Sequence, residues 1–94
     1  MTQVGNGSET LPSAGSQAVT TSALALNSGT GVACSEVLVQ NDPGSANIVL
    51  VGNSTAQAIS LAIGEAINIE VTNIAAVYVK VASGSATVNW LARS

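Results

Sequence analysis

Val77-Tyr-Val-Lys-Val-Ala-Ser-Gly-Ser-Ala-Thr-Val-Asn-Trp-Leu91 decides the class of fold. In its first half Val77, Val79 and Val81 alternate with Tyr78 and Lys80, and successive strand side chains point to opposite faces. Valine is β-branched, which suits a pleated, half-buried surface better than a helix. Ser83-Gly-Ser85 then makes a tight turn, and Ala86 to Ala92 resumes the period of two with Val88 and Trp90 on one side.

The same texture extends back toward the N-terminus. Ala66 to Val71 places Ile67, Ile69 and Val71 inward and Asn68 and Glu70 outward; if that strand pairs with Val77 to Ala82, Glu70 and Lys80 share a face and form a cross-strand ion pair. Ala58 to Ile63 puts Ile59, Leu61 and Ile63 on one face, and Gly64-Glu65 makes the next corner. Asn47 to Val51 is apolar on both faces, as in an interior strand or one whose outer face meets a partner. Asn41-Asp-Pro-Gly-Ser45 is a strong turn, because Pro43 presets its φ and Gly44 accepts a positive one. Ala33 to Gln40 alternates, and Ser16 to Leu26 reads as a first strand, followed by the loop Asn27-Ser-Gly-Thr-Gly31. No segment holds a 3.6-residue period. The expectation is an all-β chain: one small antiparallel β-sandwich or jelly-roll-like domain of about seven short strands over residues 17–94. Residues 1–16, rich in Gly, Ser, Thr, Asn and Gln and broken at Leu11-Pro12, read as an extended N-terminal arm able to order on a neighbour.

Charge is the second decisive feature. Only 7% of the 94 residues are charged while 47% are hydrophobic, against about 25% charged in an ordinary soluble domain. Two cations, Lys80 and Arg93, stand against Glu9, Glu36, Asp42, Glu65 and Glu70. Two cations make no basic stripe, so nucleic-acid binding is not expected. No polybasic or amphipathic segment would hold the chain to a membrane, and residues 1–10 lack the features of a secretory signal. With so few ionic groups, the folded surface is expected to be covered by other protein.

Little in the chain promises chemistry. With no histidine, acid–base catalysis would fall to one of five scattered carboxylates, which read instead as solvated surface groups. No ligand set for zinc or calcium is apparent, and no cofactor is expected. Cys34 is the single cysteine, so no intrachain disulfide exists, and it reads as a small buried apolar residue rather than an activated thiol. Gly5-Asn-Gly7 and Gly29-Thr-Gly31 are glycine turns without the lysine of a phosphate loop. Tyr78 and Trp90, the two aromatics, suit either an interface anchor or a sugar-stacking platform, against the plainer reading of a core cap at Trp90 and a wet edge residue at Tyr78.

From Glu36 onward, Val37-Leu-Val-Gln-Asn41, Asn47-Ile-Val-Leu-Val-Gly52, Leu61-Ala-Ile-Gly-Glu65, Val77-Tyr-Val-Lys-Val-Ala-Ser83 and Ala86-Thr-Val-Asn-Trp-Leu91 resemble the small β-sandwich virion proteins of tailed bacteriophages. The resemblance covers the last two-thirds of the chain and brings no catalytic residues. It implies a capsid decoration or cement protein, made in the bacterial host cytoplasm and carried on the capsid surface of the virion. Such a protein would bind the major capsid protein as a homo-oligomer, a trimer by this resemblance. The interface residues expected are Leu11 and Pro12 in the arm, Val49 and Val51 in the apolar run, and the aromatics Tyr78 and Trp90. Two other readings stand beside it: a tail or fibre module of the same fold contacting host glycan, and a small host-encoded β-domain with a soluble ligand in an apolar pocket.

Overall fold

The computed structural model describes residues 13–93. They form β1 (Ser13–Val19), β2 (Leu24–Ala25), β3 (Glu36–Asn41), β4 (Val49–Gly52), β5 (Gln57–Leu61), β6 (Ala66–Ile69), β7 (Tyr78–Val81) and β8 (Ala86–Arg93), with single 3-10 turns at Leu26–Gly29 and Ile74–Ala76. The strands make two antiparallel four-stranded sheets, ordered β1-β8-β3-β6 and β2-β7-β4-β5. The chain is therefore all-β, with the arrangement of a small β-sandwich.

Register explains why the core is almost pure valine. In the first sheet Val39 lies opposite both Ile67 and Trp90, and Val37 opposite Ile69 and Ala92, so these share the inner face. In the second, Val49 lies between Val81 and Leu61, and Val51 between Val79 and Ile59. Nine valines are at most 3% exposed, joined by Leu26, Leu61, Ile74 and Trp90. The indole of Trp90 closes one end of this layer against Gly15, where an added Cβ would stand 2.9 Å from Cζ2.

One buried polar side chain ties the two sheets. Asn41, at the end of β3, is fully buried. Its Nδ2 donates to the carbonyls of Asn47 (2.9 Å) and Leu61 (3.0 Å). Its backbone N–H donates to Glu65 O at 2.9 Å, and its own carbonyl accepts from Gly64 N–H at 2.9 Å. The end of the first sheet is thereby joined to the β3–β4 loop, the last residue of β5 and the corner that carries the chain from β5 to β6. Gly64 turns that corner at φ +83°, a value few other residues adopt. Asn41 Oδ1 meets no donor among the described residues.

The two long sides of the sandwich differ. Along the β1/β2 side, Gln17 donates to Ala25 O (3.2 Å) and accepts from Asn27 N–H (2.6 Å), and Val81 N–H reaches Thr20 O at 2.9 Å. That side is sewn shut. Along the β5/β6 side the sheets diverge beyond the Gly64 corner and leave a cleft.

Three expectations are corrected here. Ser16 to Leu26 is not one strand: β1 ends at Val19, and Leu24–Ala25 joins the other sheet before Asn27 and Ser28 turn at φ 56° and 53°. Residues 13–16, expected in the arm, already pair with β8, because Gly15 is small enough to lie under Trp90. Residues 1–12 lie outside the described residues. Glu70 and Lys80 do not pair, since β6 and β7 belong to different sheets; the ion pair observed is Arg93–Glu36, 3.5 Å apart between neighbouring β8 and β3.

Replacing Asn41 with Ala strands two buried carbonyls at once, so Asn41→Ala should lower the unfolding free energy by about 2–4 kcal/mol. Urea denaturation measures this; a loss no larger than that of an exposed-site variant such as Ser60→Ala would show that Asn41 does not bind the sheets together.

Candidate functional site

The outer faces of the two sheets differ in character. On the first, side chains are linked in a polar ladder. Ser16 Oγ donates to Asn89 Oδ1 (2.7 Å), and Asn89 Nδ2 donates to Gln40 Oε1 (3.1 Å) and Asp42 Oδ1 (2.9 Å). Asn68 Nδ2 donates to Glu36 Oε2 at 2.8 Å, and Glu36 also meets Arg93. These groups satisfy one another, and the apolar pair Leu38 and Leu91 lies among them on the same face.

The outer face of the second sheet mixes apolar and polar side chains without a comparable ladder. Because Val79, Val81, Val49 and Val51 point inward, the rows between them point out. One row runs Ala25, Tyr78, Gly52, Gln57, and the next Lys80, Leu50, Ser60. Tyr78, Lys80 and Leu50 are half-buried, while Ala58 and Ser60 are exposed. Lys80 has no acidic partner among the described residues. The face thus sets Leu50, Ala25 and Gly52 among a phenol, an amide, a hydroxyl and one cation.

Sequence reasoning placed the interface residues unevenly. Leu11 and Pro12 lie outside the described residues. Val49 and Val51 are 0% and 2% exposed and face inward, so they belong to the chain's own core, and Leu50 between them supplies the outward side chain. Trp90, 7% exposed, packs inward against Gly15 and offers no stacking surface. Tyr78 faces outward, as its place between inward valines implies. Of the three residues expected on one face of β5, Leu61 is buried while Ile59 and Ile63 are 51% and 49% exposed, because β5 is an edge strand and Ile63 lies past its end in the corner. An uncharged run from Pro43 to Gly64 was the available sign of an unusual surface there.

Two titratable groups hold structural contacts. Glu65 Oε1 accepts from Ala62 N–H (2.8 Å) at the corner. Cys34 Sγ donates to Val71 O at 3.1 Å, and desolvation pushes its thiol above the ordinary 9.0, which disfavours the nucleophilic thiolate. Among the described residues no group of three or more His, Cys, Asp or Glu could hold a metal ion, and no helix is long and apolar enough to cross a membrane. A cleft of about 630 Å³ opens on the β5/β6 side. Compared with known proteins, the chain matches no protein family, no curated protein and no solved structure.

Asp42 carries the pH dependence. The Asn89 amide, then the Gly44 N–H at 2.8 Å, hold its carboxyl below the ordinary 3.8. A carboxyl depressed on folding adds stability above its unfolded value, and that stability is lost as pH falls through the lower folded value. Thermal melts of the wild type should therefore drop more steeply below pH 3.8 than those of Asp42→Asn. Parallel acid limbs would show that the Asn89 contact does not favour the ionised form.

Proposed function

We propose that the chain is a non-enzymatic structural protein of a tailed-phage virion, a decoration protein that docks on the assembled major capsid protein and stabilises the head. The observation that carries this reading is the outer face of the second sheet. Leu50 and Tyr78 stand there beside Lys80, which has no acidic partner among the described residues, on a chain whose other broad face has polar side chains bonded to one another. Non-polar area with few charges and an aromatic anchor is the composition of an interface centre. The partner that fits is a protein surface with a carboxylate opposite Lys80.

Strand order supports the finer reading of the fold as a jelly roll. Two sheets ordered 1-8-3-6 and 2-7-4-5 follow from folding a long antiparallel hairpin over itself, which places first beside last and second beside next-to-last. Eight-stranded double-sheet jelly rolls serve as capsid and lectin domains. Architecture alone does not select between them. The inward Trp90 and the Tyr78 face favour protein contact over sugar stacking.

A decoration protein binds the shell and not loose subunits, so it stabilises the shell by mass action. Co-sedimentation with expanded phage heads measures the binding. Tyr78→Glu and Lys80→Glu should each weaken it by about 2 kcal/mol, the scale of an interface hot spot, while Ser16→Ala on the opposite face leaves it unchanged. Equal binding by all three variants, or none by the wild type, would overturn the reading.

A further inference from the structure

The chain has six isoleucines, and their distribution is inverted relative to its valines. Ile74 alone among them is buried, while Ile48, Ile59 and Ile63 are 54%, 51% and 49% exposed and Ile67 and Ile69 are half-buried. Valine fills the core, and the larger side chain lies outside it. The exposed ones lie at two hollows. Ile59, Ile67 and Ile69 line the cleft of about 630 Å³ with Val51, Val71 and Val77, beside the polar Asn53, Asn68 and Glu70. Ile48 and Ile63 flank a separate hollow of about 320 Å³ with Ala46 and Ala82. Exposed apolar surface of this kind marks an interaction site.

The same side carries an unprotected sheet edge. β5 is the last strand of its sheet, so the backbone groups on its outer side meet no strand among the described residues. Sheet edges are ordinarily blunted by charge, proline or a bulge. The only such device here is a register shift near Ala58, before Ile59, and no charged residue occurs from Pro43 to Gly64. The opposite side of the sandwich, by contrast, is sewn shut by Gln17.

We propose that this edge is a self-association seam: β5 of a second copy pairs antiparallel with β5 across a two-fold axis, and the isoleucine rims cover each other's clefts. Two features select a second copy. A bare strand edge is satisfied by an extended strand, and β5 is itself one, so the contact is self-complementary. Charge points the same way. A chain of net charge −3 repels its own copy wherever acids face each other, as Glu36 and Asp42 would on the outer face of the first sheet, whereas β5 carries none. Glu65, in the corner after β5, is engaged with Ala62 N–H, and Glu70, just after β6, lines the cleft. An isologous seam closes at two copies, a different closure from the trimer implied by resemblance. It needs no shell, so it stands or falls independently of the proposed function.

Sedimentation velocity of the full chain over a concentration series tests the seam. The wild type should sediment as a dimer. Ile59→Lys and Ile63→Lys, both at half-exposed positions, should keep the fold by thermal melting and weaken the dimer by about tenfold or more. Leu38→Lys, on the outer face of the first sheet, should leave it intact. Hydrogen exchange should slow at the amides of Ile59 to Ile63 as the dimer forms. A monomeric wild type, a trimeric mass, a dimer that survives Ile59→Lys and Ile63→Lys together, or protection confined to another strand would each overturn the proposal. So would a monomer that retains a small molecule in the cleft by native mass spectrometry.

Discussion

The buried amide of Asn41 is the constraint on which the arrangement of the two sheets rests. A core built of valine has little shape to lock one sheet over the other, since each side chain is short and presents similar surface in either direction. Directional bonds supply what packing lacks. Asn41 takes two carbonyls from the β3–β4 loop and the end of β5, and its backbone grips both sides of the Gly64 corner. A buried donor is costly unless satisfied, and the two carbonyls that Nδ2 reaches therefore specify one geometry strongly. Its position at one end also explains the asymmetry of the molecule: the sheets are clamped at the corner and are free to diverge farther along β5 and β6.

That divergence decides which apolar residues find a core. On the β1/β2 side, Gln17 and Thr20 bridge the sheets with hydrogen bonds and the valines behind them are sealed. On the other side no such bridge follows the corner, and Ile59, Ile67 and Ile69 stand at the mouth of a cleft. The alternation of side chains is regular on both sides. Coverage is what differs, and coverage is a property of the neighbouring sheet.

Charge poverty takes on a specific form in three dimensions. Among the described residues, Asp42, Glu36 and Arg93 lie on the outer face of the first sheet or at its turns and serve hydrogen bonds that hold turns and neighbouring strands, while Lys80 stands on the second sheet and Glu70 at the cleft. Exposed pairs such as Arg93–Glu36 contribute little to stability, about 0–1 kcal/mol. Their effect is on placement: they leave the outer face of the second sheet and the β5 edge almost without charge.

The period of two in Val37-Leu-Val, Val77-Tyr-Val-Lys-Val and Ala86-Thr-Val-Asn-Trp determined by itself that the chain is all-β, which residues of these strands share a face, and where the turns at Asn41 to Ser45 and Ser83 to Ser85 fall. Tyr78 was legible as outward for the same reason. The tertiary structure alone decided which sheet each strand joins, and therefore that Glu70 and Lys80 lie apart, that Val49 and Val51 are interior, and that Ile59 and Ile63 are not. Asn41 looked like a turn residue and proved to be the clamp between sheets. Alternation is set by local backbone geometry, whereas sheet membership, edge position and burial depend on contacts between residues far apart in the chain, which no local pattern contains.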